Sequence, residues 1–322
     1  MERQYRAYME KGYRAINGMT RALERELSAQ YAEVYKSVAA RIASLYGKIG
    51  DTPTLQEARR YNRLKNLLEE IGKEYRKLTG KVITASKHGI ASAYSEAAYR
   101  TEWAIDQATG IEIAFSKLPV EGIRAAVYSS ATGQVFSKRI RDNSERALQL
   151  LGNTITQSLI EGKPYAATAR AIRDRFQGGY NDAMRVVRTE SHRAMTLGHL
   201  ESFDMAQEAG VKARKRWVAT LDEWTRDAHR YLDGEYADDD GLFWIGGDSA
   251  PGPGLFARPE NSINCRCAVI EEIEGLEPSL RREAGGEVIP YTTYDKWLKS
   301  KEAEKTALEK SVNIPASKAG KY

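Results

Sequence analysis

Two cysteines, Cys265 and Cys267, are the whole thiol supply of this 322-residue chain. They cannot make a disulfide framework. A bridge across Cys-x-Cys would close a very small, strained ring, because the Cα atoms of a relaxed disulfide lie roughly 5.5 Å apart. Two free or metal-bound thiols in a reducing compartment fit better. Long apolar runs are missing too, since nothing approaches the ~18 residues of a membrane span. The first residues, MERQYRAYMEKGYRAING, carry charge throughout and lack an apolar signal core, which argues against export by that route. The sequence contains no HExxH, no GxSxG and no GxxxxGK[ST]. A net charge of +5 and a pI near 8.9 permit contact with nucleic acid or an acidic protein surface without establishing either.

What is present is an ordinary soluble composition: 42% hydrophobic, 29% charged, mean hydropathy −0.56. The length allows two domains with real cores. Tyr5, Tyr8, Tyr13, Ile16, Met19, Leu23, Leu27, Tyr31, Val34, Val38, Ile42 and Leu45 recur every three to five residues, which predicts one long helix over about 1–45. So many tyrosines and methionines suit a stripe that meets a partner as well as a core. GDTPT (50–54) breaks the pattern, with Thr52 placed to cap and Pro53 to open a second helix running to Leu78. Thr79-Gly80 is expected to end that helix, and an alanine-rich helix follows over 81–110. Residues 1–80 hold sixteen basic and ten acidic side chains, spread over exposed faces.

IEIAFSKLP, within 111–119, reads as extended or loop, before a short helix at 120–130. Further helices are expected at 143–160 and 164–176, a break at QGGYND (177–182), and a strong helix closed by Gly210. The character then changes. KARKRWVAT (212–220) alternates like a strand, TRDAHRYL (225–232) is a short helix, and LFWI a short strand in a Gly/Pro/Asp-rich loop. CRCAVIEEI (265–273) reads as the final strand. The tail is charged, with a helical stretch from about 292 and a disordered end.

A loop this long with so little regular structure needs a covalent or functional reason to stay ordered. Between Gly210 and the cysteines lies one histidine, His229, on the short helix before the loop. Two thiolates and an imidazole are good zinc ligands, and Zn²⁺ would pin a loop lacking a core of its own. Alternate residues of a strand share a face, so Cys265 and Cys267 could reach one ion. Asp222, Asp227, His192 or water could supply the fourth position. In the alternative reading both cysteines pack as small hydrophobes. An open fourth position would instead suit a zinc-dependent hydrolase or nuclease built on His229, Cys265 and Cys267. Asp238, Asp239 and Asp240 could serve such an enzyme as magnesium ligands, although eight acidic residues against two basic ones over 222–240 would repel phosphate. Lys212, Arg214, Lys215 and Arg216 form the one dense basic cluster and the candidate phosphate contact.

The order RTE (188–190), Trp217, DEWTRDAHRYLDG (222–234), a Gly/Pro-rich loop and NCRC (264–267) resembles the Mu F-like family of phage minor head, or head morphogenesis, proteins. The resemblance covers about 165–275. It implies a virion protein made in the host cytoplasm, inside the capsid or at the portal vertex. Portal, scaffolding or major capsid protein are the partners it implies, along with possible sequence-independent DNA contact and no membrane. Matching residues take structural roles. Arg188 and Glu190 point apart on their helix, and one of them anchors it to the C-terminal module by a charge pair. Trp217 lies in the core, Arg226 and His229 share a helical face, Asp233-Gly234 turns, and Asn264 braces the cysteine segment.

The expected fold is mainly α. It has a long-helix region (1–110), a helical middle region (111–178), a small α+β Mu F-like module (179–275) and a charged tail with a short helix (276–322). The expected function is assembly and not turnover, with no enzyme and no appended domain.

Overall fold

A computed structural model of the chain describes residues 2–52, 54–110, 120–129, 134–274, 280–282 and 287–300. Three helices dominate: α1 (Glu2–Ile49), α3 (Arg63–Thr109) and α6 (Tyr165–Glu208). At 1.5 Å per residue each is roughly 66–72 Å long. α1 runs antiparallel to both partners. Tyr8 stacks on Trp103, and Ser37 bonds Glu74 near the other end of the pair. Against α6, Arg188 pairs with Glu24, and Tyr46 meets Thr168. α5 (Phe136–Ile160) packs along α6, and α4 (Val120–Tyr128) lies against α3 and α6. The fold is mainly α with a small α+β module.

The apolar stripe of α1 is spent inside the molecule. Leu23, Leu27, Val38 and Ile42 are buried against α3 and α6, whereas Met19 reaches solvent. Tyr5 and Tyr13 leave the helical body to bond the module, so the tyrosine-rich end meets the chain's own sheet and not a free surface.

Three expected breaks are absent or displaced. The cap before the second helix is Thr54, in a capping box with Glu57 that opens the short α2 (Leu55–Arg59). Pro53 lies outside the described residues, as do 111–119 and everything after 300. α3 runs straight through Thr79-Gly80, because its buried face continues from Tyr75 and Leu78 to Val82 and Ile90. α6 likewise runs through Gly178-Gly179. A Cβ on Gly179 would come within 2.4 Å of the Tyr75 hydroxyl. That glycine lets two helices close up; it does not break one.

Gly198 plays the same part higher up, where a Cβ would stand 2.2 Å from the Tyr94 carbonyl oxygen and 3.1 Å from Ala97 Cβ. Backbone cannot move aside as a flexible side chain can. Gly198→Ala should therefore destabilise the protein by at least the roughly 1–3 kcal/mol typical of overpacking, despite alanine's better helix propensity. Urea unfolding followed by helical dichroism would measure this, and an unchanged or raised midpoint would refute it.

After α6 the chain forms β1 (Ala213–Val218), α7 (Asp227–Tyr231), a hairpin of β2 (Phe243–Ile245) and β3 (Asp248–Ala250), α8 (Pro259–Ser262) and β4 (Ala268–Ile273). β1 and β4 pair antiparallel, with Trp217 opposite Val269. β3 escaped the sequence reading; Gly246-Gly247, both at positive φ, supply its two-residue turn. β4 is not the last strand, because β5 (Leu280–Arg282) pairs with β6 (Val288–Pro290). The module also has a core of its own: Trp217, Phe243, Phe256 and Tyr294 are fully buried, joined by Leu200 from α6. Among the described residues no helix is long and apolar enough to cross a membrane.

Glu271 on β4 marks the joint between module and helices. It is buried beside Tyr5, with Lys215 and Asp204 near, and burial pushes its carboxyl up to about 7 from 4.5. A carboxyl raised in the folded state gives stability that is fully present below pH 4.5 and lost as pH climbs through about 7. Glu271→Gln should flatten that fall by up to about 3 kcal/mol. Unfolding free energies at pH 5 and pH 8 measure the effect; an identical pH dependence in both proteins would assign it elsewhere.

Candidate metal centre

α7 and the segment entering β4 deliver the parts of the centre. Arg226 precedes α7, and its guanidinium donates to the Ile263 carbonyl and so holds the segment entering the cysteines. Three residues on, His229 points inward, 1% exposed, its ring edge-on to Trp217 at 5.5 Å. The chain leaves α7 through Asp233-Gly234. Gly234 turns at φ +88 and donates to the Trp217 carbonyl, and one Asp233 oxygen accepts from Ala219 N–H at 2.7 Å. The other accepts from Tyr294 N–H. The aspartate thus rivets α7, β1 and the 294–300 helical turn together.

Asn264 sits in the left-handed region at φ 54, and its N–H donates to Thr189 Oγ1 on α6 at 3.1 Å. That kink ends the regular backbone, so Cys265 and Cys267 lie just before β4 and not within it. They still share a side: both are buried, and each Sγ lies 3.5 Å from His229 Nδ1. All three donor atoms fall within 4.8 Å of one another. In a tetrahedral zinc site, bonds of ~2.0–2.1 Å to nitrogen and ~2.3 Å to sulfur separate N from S by about 3.6 Å. Both N···S distances are close to that separation. The thiols also bias each other. A hydrogen bond from Cys267 pulls the Cys265 thiol down, while the same contact and burial hold Cys267 well above its usual range.

Asp222 does not join them. Its carboxylate takes a two-pronged bond from Arg266, 2.9 Å at one oxygen, and further bonds from Trp224 N–H and Thr225 Oγ1. Asp227 is exposed and paired with Arg230. Asp238 is consumed by its own turn, accepting from Asp240 and Leu242 N–H and at 2.6 Å from the Trp244 indole. His192 lines the same cleft as the two thiols, a space of about 1100 Å³ between α1, α6 and the module, with Arg21 and Arg188 on its wall. Burial pushes the His192 imidazole down to about 4, so it is neutral.

The charged motif on α6 differs from expectation. Glu190 is buried, but its partners are Arg139 of α5 and Arg193 one turn along, so it ties helices to each other and not to the module. Arg188 pairs with Glu24 at the surface. The side chain that reaches the module is Thr189 between them. Sequence reasoning passed over Arg193, although its i,i+3 spacing from Glu190 was visible. The basic cluster is divided. Lys212 and Arg214 are exposed, Arg214 lying over the Tyr236 ring, whereas half-buried Arg216 bonds Glu272 and the Gly234 carbonyl. Lys215 is half-buried too, within reach of Asp204 and Glu271.

A long helical body carrying a Trp-centred module with a His–Cys–Cys cluster defines the class. Residues 149–270, from α5 into β4, match the family described as phage Mu protein F like protein, and this stretch is a Mu F-like segment. The chain is 28% identical over 288 residues to minor head protein GP7 of Bacillus phage SPP1, covering 87% of this chain and 93% of that one. It is also 29% identical over 294 residues to the NAD(+)–arginine ADP-ribosyltransferase EFV of Enterococcus faecalis, covering 90% of this chain but only 60% of the relative's length. No solved structure matches the chain. The transferase overturns the expectation that the chain is no enzyme. Missing motifs exclude only the chemistries those motifs encode, and a relative across nine-tenths of the chain bears an enzyme's name.

Proposed function

We propose that the protein is a phage minor head protein that enters the virion during head assembly. Its place is inside the capsid or at the portal vertex, and its partners are portal, scaffolding or major capsid protein. The observation that carries this reading is the near end-to-end alignment with minor head protein GP7, whose length the chain spans to 93%. The test is co-expression of the full chain with the head genes that neighbour it. Procapsids purified by sedimentation should contain the chain, and tagged portal protein should retain it. Complete particles lacking the chain would overturn the reading.

Within this reading the module is held by a structural Zn²⁺ on His229, Cys265 and Cys267, supported by the 3.5 Å spacing of each sulfur from Nδ1. Bound there, zinc would supply a cross-link between α7 and the segment entering β4. DNA contact, where it occurs, falls to exposed Lys212 and Arg214, since Lys215 and Arg216 are engaged within the module. Neutralising those two should then lower the salt slope of binding by at most about two units. A drop of three or four on neutralising all four would return the whole cluster to the interface.

A second reading comes from the Enterococcus relative: transfer of ADP-ribose from NAD(+) to arginine. Because the chain spans 60% of that protein, the activity need not lie in the shared part. Incubation with labelled NAD(+) and a free arginine analogue tests it, and absence of labelled product would dismiss it.

A further inference from the structure

Three ligands leave one corner of a tetrahedral ion open. Nearby candidates are few. Asp222 is taken by Arg266, and Asp227 faces solvent beside Arg230. Charge argues against a carboxylate as well. Two thiolates balance Zn²⁺ and leave a neutral centre, whereas a third anion would bury a net negative charge.

His192 remains. It stands on α6 one turn beyond Thr189, whose hydroxyl already accepts the Asn264 N–H next to Cys265. Its ring lines the same cleft as both thiols and lies within electrostatic reach of Cys267. Its Nε2 is buried with no hydrogen-bond partner among the described residues. A buried imidazole nitrogen left unbonded costs free energy, so it calls for an explanation. The loop opposite is pared back to admit the ring: Gly254, at φ +78, lies where a Cβ would come within 3.1 Å of His192 Cδ2. The ring nitrogens stand outside the 4.8 Å group of donors, so ligation requires the His192 side chain to turn toward the thiols.

We propose that His192 is the fourth ligand of a Zn²⁺ ion shared with His229, Cys265 and Cys267. The metal then joins α6 of the helical body to the module, besides closing the module on itself. This rests on the metal reading above. It also gives the Asn264–Cys267 segment a second anchor on α6 beside the Thr189 bond.

The experiment uses the full chain, with Zn²⁺ and Co²⁺ alone as probes. Wild type should bind one equivalent, and its cobalt form should show the intense ligand-field bands of a tetrahedral ion with thiolate charge transfer. His192→Ala should weaken metal affinity by more than the roughly 10–100-fold that outer-shell partners cost. It should also shift the ligand-field bands, with helical dichroism retained. His192→Cys should raise thiolate charge transfer in proportion to the added sulfur, a gain that a merely packing role would not produce. Unchanged affinity and spectra in both variants, with metal lost in Cys265→Ser, would overturn His192 as a ligand and leave the three-residue site standing. Absence of metal from wild type would remove the metal reading itself.

Discussion

Cys265→Ser should give a protein without bound zinc whose 235–264 segment is cut rapidly by protease while its helical dichroism barely changes. The effect is large because structural zinc sites bind with apparent free energies of ~10–16 kcal/mol, and that binding would add to the few hydrogen bonds, such as Arg226 to the Ile263 carbonyl, that join the two segments. His229 arrives on α7, and the cysteines come from the stretch entering β4, 36 residues away. The effect is also local. Trp217, Phe243, Phe256 and Tyr294 extend the module's core well beyond the two cysteines, and the hairpin β2–β3 carries its own turn. Loss of metal should therefore loosen the module without melting α1, α3 and α6, whose packing lies elsewhere. Chelation of the wild type should reproduce the variant. A metal-free wild type that resists protease over 235–264 would make both cysteines core residues and nothing more.

The long helices and the cysteine cluster were legible in the sequence for different reasons. A stripe such as Leu23, Leu27, Val38, Ile42 repeats at the helical period, and any buried face must show it. Cys265, Cys267 and His229 stood out because their chemistry is rare in this chain. Gly80 and Gly179 were misread as helix breaks because what a glycine does is decided across space. Gly80, Gly179 and Gly198 look alike locally, yet a Cβ at Gly80 meets nothing within 4 Å, while at Gly179 and Gly198 it meets Tyr75 and Tyr94. The ion pairs failed for the same cause. Nothing near residue 190 announces that Arg139, 51 residues earlier, is its partner. The cysteines were expected on a strand, and the left-handed Asn264 shifted the strand to begin at Ala268 without separating the thiols.

Glu190→Gln should destabilise the protein by about 3–5 kcal/mol, the cost of removing one partner from a buried ion cluster. Glu190 is the lone carboxylate between two guanidiniums, Arg139 on α5 and Arg193 on α6, the latter at 2.7 Å. Glu190 and Arg193 have side chains only 4% exposed, so water cannot take over the lost charge. The neutral amide would leave two arginines facing each other, each partly desolvated. Arg193 has a second duty: its guanidinium donates to the Ala126 and Ser129 carbonyls, the latter at 2.9 Å, at the open end of α4. The last carbonyls of a helix have no onward helical donors, and a cation there also opposes the negative end of the helix dipole. Arg193→Met should therefore cost stability and, in addition, release α4, visible as faster amide exchange over 120–129, whereas Glu190→Gln should leave α4 protected. Urea unfolding of the two variants with exchange measured on each would separate the duties. A loss below about 1 kcal/mol for Glu190→Gln would mean that water reaches the cluster and the pair behaves as a surface bridge.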